Sequence, residues 1–433
     1  MTARDLAARR GREMRVARAP EARVVMTGLG MVSPLGIGWR DAWSAALEGR
    51  ACAGPITRFD TTGHACRIAC EVGGFDPEDF IDRRATRRMD RVSQMAVAAA
   101  RLALEDADLT IEDDGGRAGT VIATGNGGSG AFEDNDRALL ERGADRASPL
   151  MVPMAIVNMS AGHVSMQLGL RGPASCVVTA CASGNHGIGD AAAIIRRGAA
   201  DVMLAGGAEA GVTPYCMASL DATRALSRRN DEPQLASRPF DVGRDGFVAA
   251  EGAAVVVLES LEHAVARGAD VVCEVAGYGA SSDAFHLTEP DPSGRWQVEA
   301  MKMALRHAGR DPSEVDYVNA HGTSTAAGDP VEIGALRRLV GDDGAAGLAV
   351  SSTKSMHGHG MGAAGGFETV LTALAIREGV IPPTINLDEL DPACMGVDHV
   401  ANEARIAPVR LALSNSFGFG GHNAVLALAA VEA

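Results

Sequence analysis

The sequence predicts an α/β protein with a buried sheet in each of two halves. Three observations carry that prediction. Short β-branched runs alternate with Ala-rich helical patterns along nearly the whole chain. Aromatic residues make up only 4% of it, against 46% hydrophobic residues and 52 glycines, so the core must be built from small aliphatic side chains at close range. No linker-like run divides the 433 residues, a length that suits two domains or one large duplicated unit. The expected division is an extension over 1–22, a first half over 23–268 and a second over 269–433.

Residues 1–22 carry Arg9, Arg10, Arg12, Arg15 and Arg18, interrupted by Asp5 and Glu13. No apolar segment follows, so this is not a secretory signal, and a disordered extension is expected. A strand over 23–30 then leads through Ser33-Pro34 to a helix over 39–47. The Gly28-x-Gly30 pair suggests a dinucleotide turn, but Pro34 breaks the frame and no clean acidic partner stands about 20 residues on. An arginine cluster (Arg83, Arg84, Arg87, Arg88, Arg91) runs into a helix over 94–104. The strand over 120–124 ends in the glycine loop 125–130, which lacks the Lys-Ser/Thr of a P-loop.

Cys176-Val177-Val178 reads as a buried strand, and 183–195 as the helix packed on it, which puts Cys181 on a tight strand-to-helix turn. A strand over 201–207 leads to Glu209. The polar, Pro-containing stretch 224–245 reads as a surface excursion. Next come a strand over 255–259 and a helix ending near Gly268. The second half repeats the alternation: strand 272–275, helix 298–308, strand 315–319, helix 330–339, strand 348–352, helix 363–377, and closing strands 411–413 and 424–428.

Chemistry concentrates at four strand ends. A thiol at Cys181 would feel the positive end of the following helix, which favours thiolate. Asn319-Ala320-His321-Gly322-Thr323-Ser324-Thr325 follows a strand, and Asp329-Pro330-Val331-Glu332 then supplies an Asp N-cap, Pro at the first helical position and Glu at the third. Ser352-Thr353-Lys354-Ser355-Met356-His357-Gly358-His359 lies between a strand and a helix. In Asn415-Ser416-Phe417-Gly418-Phe419-Gly420-Gly421-His422-Asn423, aromatic residues alternate with glycine. Singly, each has a bland explanation: a structural cysteine, a hydrogen-bonded histidine, a β-bulge. His357-x-His359 lacks the third ligand of a metal site, and Cys66-x3-Cys70 beside His64 lacks a second pair.

Together these segments resemble the β-ketoacyl-[acyl-carrier-protein] synthases, condensing enzymes of the thiolase-like superfamily. The resemblance runs from about Arg23 to the C-terminus. It rests on TACASG around Cys181, NAHGTST around His321, STKSMHGH around Lys354 and His359, and NSFGFGGHN around Phe419. It implies a thiolase-like fold, two duplicated α/β halves packed as a five-layer α-β-α-β-α sandwich. It also implies decarboxylative condensation of an acyl-Cys181 enzyme with a malonyl thioester, as in fatty acid elongation. His321 and His359 would face the enolate oxygen as neutral donors, and the backbone N–H groups of Cys181 and Phe419 would form the second oxyanion hole. Lys354 would support the histidine loop, Phe419 would act as a gate, and Thr323 and Thr325 would bind the pantetheine arm.

By the same resemblance, Arg84, Arg88 and Arg224 match basic positions where an acidic carrier protein docks. Asn319, Glu368 and Ser414 match the ligands of a structural monovalent cation, Glu368 alternatively pairing with the lysine. No cofactor is expected for catalysis; the carrier supplies phosphopantetheine. A cytoplasmic homodimer is implied. Three departures stand out. Asn126 and Leu220 replace an apolar residue and a phenylalanine of the acyl pocket, and His357 and His422 stand where threonine is common. Asn126 is the only sequence support for a polyketide or specialised-lipid ketosynthase. A non-catalytic chain-length partner would lack Cys181, and a degradative thiolase needs a second cysteine unlike Cys394 in Asp391-Pro392-Ala393-Cys394. The net charge of -15 argues against nucleic acid or an anionic membrane as a partner, and no apolar run reaches transmembrane length.

Overall fold

The computed structural model describes residues 21–111 and 115–431, so most of the expected N-terminal extension lies outside the described residues. The first half contributes β1 (Val24–Ser33), β2 (Ala118–Ala123), β3 (Ala174–Ser175), β4 (Val202–Glu209) and β5 (Gly252–Ser260). The second contributes β6 (Cys273–Ser282), β7 (Tyr317–Asn319), β8 (Ala349–Ser351), β9 (Asp398–His399), β10 (Leu411–Gly418) and β11 (His422–Ala429). In space the first five run β3-β2-β4-β5-β1, and their counterparts run β8-β7-β10-β11-β6. The senses match too. β2 is parallel to β3 and β4, and β5 is antiparallel to β4 and β1; β7 is parallel to β8 and β10, and β11 is antiparallel to β10 and β6. One topology is therefore built twice.

Two sheets were expected, and hydrogen bonding joins them: β1 meets β6 at Val25↔Glu274 and Met26↔Cys273, giving, among the described residues, one sheet of these eleven strands and a short twelfth, Gly36–Ile37, paired with β1. Helices α1 (Trp39–Leu47), α2 (Arg91–Asp106), α3 (Ser129–Arg142), α4 (Met159–Leu168), α5 (Ser183–Arg196), α6 (Pro214–Ala222), α7 (Arg295–Ala308), α8 (Gly328–Val340) and α9 (Ala364–Glu378) complete the architecture. α5 and α9 touch strands of both halves and each other, α2 covers β1 and β5 from one outer side, and α7 covers β6 and β11 from the other. That is the five-layer sandwich. Its middle layer is out of solvent: every residue of α9 from Ala364 to Ile376 is buried, and the polar ones among them, Glu368, Thr369 and Thr372, bond to Lys354, Asn185 and the Glu368 main-chain oxygen.

The glycines rejected as a nucleotide turn have a packing role instead. A Cβ at Gly28 would lie 2.2 Å from the Ala103 carbonyl oxygen, and one at Gly30 only 1.9 Å from that of Ala99, both on α2. Gly277 and Gly279 on β6 stand likewise against Ala304 and Ala300 of α7, each with an oxygen 2.0 Å from the missing Cβ. In both halves, first strand and outer helix approach to a distance that only glycine permits.

Two sequence expectations are corrected. Cys176–Val178 is not a buried strand; β3 holds only Ala174–Ser175, at the sheet edge, and Val178 is 45% exposed because nothing among the described residues covers that edge. The stretch 224–245 is a surface excursion only in part, since Arg228, Asp231 and Glu232 are exposed but 236–241 turn inward. Ser237, Arg238, Phe240 and Asp241 are buried, with Arg238 Nε 2.8 Å from Asp241 Oδ1. Charge reads as surface in a sequence, yet paired charge can be buried.

Candidate active site

Cys181 stands just before α5, between β3 and the helix, and the turn is tight enough to hold Ala180 at φ 51°. Gly418 makes room for it: a Cβ there would meet the Thr179 oxygen at 2.8 Å and the Cys181 and Ala182 nitrogens at 3.0 Å. The β10–β11 hairpin therefore lies against the nucleophile turn, and the backbone N–H groups of Phe419 and of Cys181 itself both favour the ionised sulfur.

His321 and His359 complete the cluster. Cys181 Sγ and one ring nitrogen of each histidine lie within 4.8 Å of one another, all three residues buried. The two imidazoles meet edge to face, with centroids 5.3 Å apart and planes at 85°. Phe417 borders His321 and Phe247 borders His359, at 5.9 Å and 5.1 Å between centroids. The three side chains line one cavity of about 330 Å³, together with Thr323, Thr325 and Phe419. Arg224 lies at its rim.

The expected Asp N-cap is not formed. α8 begins at Gly328, and Asp329, inside its first turn, turns its carboxylate to the Phe240 N–H (2.9 Å) and the Thr325 N–H (3.3 Å). Glu332 does more than favour the helix start. It accepts the His321 N–H at 2.9 Å, the Gly322 N–H at 2.8 Å and Asn415 Nδ2 at 3.0 Å. One buried carboxylate thus ties the histidine loop to β10. His359 is held from the other half, its N–H donating to the Val248 oxygen at 2.7 Å and its oxygen accepting from Ala250 at 3.0 Å. Sequence reading missed these anchors because they join residues far apart in the chain, 83 positions for Asn415 and Glu332.

Lys354 is buried, ion-paired with Glu368, and its Nζ lies 3.3 Å from His321 Nδ1. An ammonium can only donate, so Nδ1 accepts and the imidazole proton is assigned to Nε2. Burial first, then Lys354, then the neighbouring imidazole push both catalytic histidines well below their usual range. Both are neutral N–H donors at pH 7. His357 does not join them: its Nε2 faces Thr353 Oγ1 at 3.1 Å, and burial pushes it down to about 3.

The expectation of a resting thiolate does not hold. Burial pushes the Cys181 thiol up to about 11, against the Phe419 N–H and Lys354, which lower it. The displacement is worth about 3 kcal/mol, whereas a helix end supplies about 0.3–2 kcal/mol. Burial wins, and the resting thiol keeps its proton.

The remaining candidates lie elsewhere. Asn126 and Leu220 do not line the Cys181 cavity. Asn126 is exposed, and its side chain and N–H engage Glu209, a buried carboxylate that also accepts the Gly125 and Gly362 N–H groups. Leu220, on α6, packs against Met217 and its neighbours. Arg84 and Arg88 are exposed on the first half and away from the cavity lining. Asn319, Glu368 and Ser414 gather on one buried spot: Asn319 and Ser414 are paired residues of β7 and β10, and Asn319 Nδ2 lies 3.5 Å from the main-chain oxygen of Glu368. No helix among the described residues is long and apolar enough to cross a membrane.

Residues 21–264 match the family model for the Beta-ketoacyl synthase, N-terminal domain, and residues 272–388 that for the Beta-ketoacyl synthase, C-terminal domain. The chain is 48% identical over 413 residues to the 3-oxoacyl-[acyl-carrier-protein] synthase 2 of Synechocystis sp., covering 95% of this chain and 99% of that protein. Among solved structures it is similar to the ishigamide ketosynthase/chain length factor, with TM-score 0.89 and 39% identity over 95% of this chain and 100% of that one. It is also similar to a type II PKS ketosynthase solved with its acyl-carrier protein and bound to the hexaketide, with TM-score 0.88 and 34% identity over 95% and 100% of the two chains.

Proposed function

The chain belongs to the β-ketoacyl synthase family, and from that premise we propose how its own residues divide the work of a 3-oxoacyl-[acyl-carrier-protein] synthase. The enzyme joins an acyl thioester to malonyl-acyl-carrier protein with loss of carbon dioxide, a step of fatty acid elongation. The observation that carries the residue assignment is the meeting of Cys181, His321 and His359 within 4.8 Å in one cavity.

Cys181 sulfur attacks the acyl carbonyl, and the backbone N–H groups of Cys181 and Phe419 take up the oxyanion. The carbon–sulfur bond to the carrier breaks, and the proton that Cys181 loses ends on the departing carrier thiol. Malonyl thioester then binds, its carboxylate leaves as carbon dioxide, and the electron pair becomes an enolate. His321 and His359 donate to the enolate oxygen; neutral imidazoles suit this, since they donate without being consumed as acids. The enolate carbon attacks acyl-Cys181, and collapse of that intermediate returns the thiol, after protonation, and releases the 3-oxoacyl carrier. Lys354 sets the His321 tautomer from behind and is not the base. Phe419, between Gly418 and Gly420, is the gate at the nucleophile. Thr323 and Thr325, whose hydroxyls lie 3.1 Å apart on the cavity wall, hold the pantetheine arm.

A structural cation at Asn319, Glu368 and Ser414 fits the chemistry of the spot. Glu368 Oε2 and Ser414 Oγ are buried without hydrogen-bond partners, and oxygen donors suit a hard cation. Lys354 already balances the Glu368 charge, so the cation would serve to coordinate these two oxygens. The acyl carrier protein would dock over Arg224 at the cavity rim and the exposed Arg84 and Arg88, local basic groups on an acidic chain. Eight free cysteines are in keeping with a cytoplasmic setting. A homodimer is supported by the bare apolar edge beside β3.

The test is intact-mass analysis after incubation with an acyl-carrier protein. Wild type should gain one acyl group, mapping to Cys181, and Cys181→Ala should gain none while keeping its fold. An adduct on Cys66 or Cys176 would overturn the assignment.

A further inference from the structure

Helix α7 buries Val298, Ala300, Met301, Ala304 and Leu305 against the sheet, all apolar, and one polar residue with them: Gln297. Gln297 is 2% exposed and lines the same cavity as Cys181, His321 and Phe417. Its Oε1 is buried without a partner, and neither end of its carboxamide makes a hydrogen bond among the described residues. Its place is not accidental slack, because the turn before it is pinned: Ser281 Oγ donates to the Trp296 oxygen at 2.6 Å. A buried carboxamide with no protein partner is costly and calls for one, and the Cys181 cavity that Gln297 lines is where a ligand can bring it.

What the ligand offers narrows the choice. A saturated acyl chain has no donor or acceptor. The malonyl carboxylate departs as carbon dioxide and needs only donors. The pantetheine arm carries two uncharged secondary amides, each with one N–H and one C=O, and a carboxamide complements either. Gln297 also stands on the arm's route, since the cavity it lines runs from exposed Thr288 and Glu289 to Cys181. Resting on the condensing-enzyme reading above, we propose that Gln297 hydrogen-bonds an amide of the pantetheine arm and so sets the enzyme's affinity for carrier-borne thioesters.

The experiment compares wild type with Gln297→Leu on two substrates, malonyl-pantetheine and the malonyl thioester of propanethiol, which has no amide. Loss of one hydrogen bond should raise KM for malonyl-pantetheine about fivefold with kcat little changed. KM for the amide-free thioester should not move. The melting temperature should stay level or rise, because the variant removes an unsatisfied buried group. Three results would overturn the proposal: an unchanged KM for malonyl-pantetheine, an equal rise on both substrates, or a lower melting temperature with kcat falling on both. A wild-type enzyme that releases no carbon dioxide from malonyl-pantetheine would instead overturn the condensing reading itself.

Discussion

Cys181 and the two histidines face opposite electrostatic tasks, and burial imposes both. It keeps the thiol protonated, up to about 11, and keeps His321 and His359 neutral. The two half-reactions should therefore respond differently to pH. Single-turnover acylation of Cys181 should rise between pH 7 and 9 as thiolate becomes available, while malonyl decarboxylation should stay flat from pH 5.5 to 7.5, with no histidine limb near 6.5. His321→Ala and His359→Ala should each lose decarboxylation roughly a hundredfold and acylation much less. Carbon dioxide release that persists in both variants would remove the two-donor mechanism. Stability follows the same linkage. A histidine whose folded value is depressed binds fewer protons folded than unfolded, so its contribution is whole above pH 6.5 and lost as pH falls below it. Each such buried histidine should cost about 2 kcal/mol by pH 5, readable as a falling melting temperature.

At the scale of elements, the loop bearing His321 shows what a sequence can and cannot reveal. Its position after a strand and before a helix was legible, because β-branched Val315 and Val318 and the Asp-Pro-Val-Glu start are local signals. That Glu332 reaches back to the His321 and Gly322 N–H groups and across to Asn415 was not, since the bond to Asn415 spans 83 positions. The same limit explains the stretch 224–245, where Arg238 and Asp241 look solvated until Asp388 and the Asp388 and Glu389 N–H groups, 147 to 150 positions away, are seen to meet them. Repeated strand–helix alternation revealed the layers, but only strand order revealed that the halves are copies, and only missing Cβ atoms explain Gly28 and Gly30. The Glu332 anchor is testable. Glu332→Gln replaces one carboxylate oxygen by an amide NH2, so either the His321 N–H or the Gly322 N–H faces a donor and loses its acceptor, at about 1–3 kcal/mol. Decarboxylation should fall roughly tenfold or more while the single acyl adduct on Cys181 still forms. Parallel loss of both steps would mean that Glu332 merely holds the fold.

Across the whole molecule, the two copies of the topology differ in how their parallel edges end. In the second half β9 adds one more strand outside β8, whereas in the first half β3 is itself the last strand among the described residues. An open edge flanked by apolar surface invites pairing with another chain. The flank here is apolar: α3 buries none of its residues, Leu140 on it is 77% exposed, and Phe132, Val152, Met166 and Val178 are exposed around it. These residues sit on segments that pack in sequence, α3 against 151–155, then α4, then β3. The apolar run Cys176–Val178, which read as buried strand, makes sense as strand awaiting a partner. A second copy of this chain, meeting the first across a two-fold axis, would cover both edges at once. Light scattering should then give wild type a mass about twice 44.6 kDa. Leu140→Asp with Val152→Asp should shift it to a single mass, since each buried aliphatic side chain contributes about 1.5–3 kcal/mol and a carboxylate there cannot be buried unpaired. Neither residue lines the cavity, so a folded monomer that loses acylation would show the site to depend on the partner's presence. A wild type that is monomeric at micromolar concentration would end the dimer proposal.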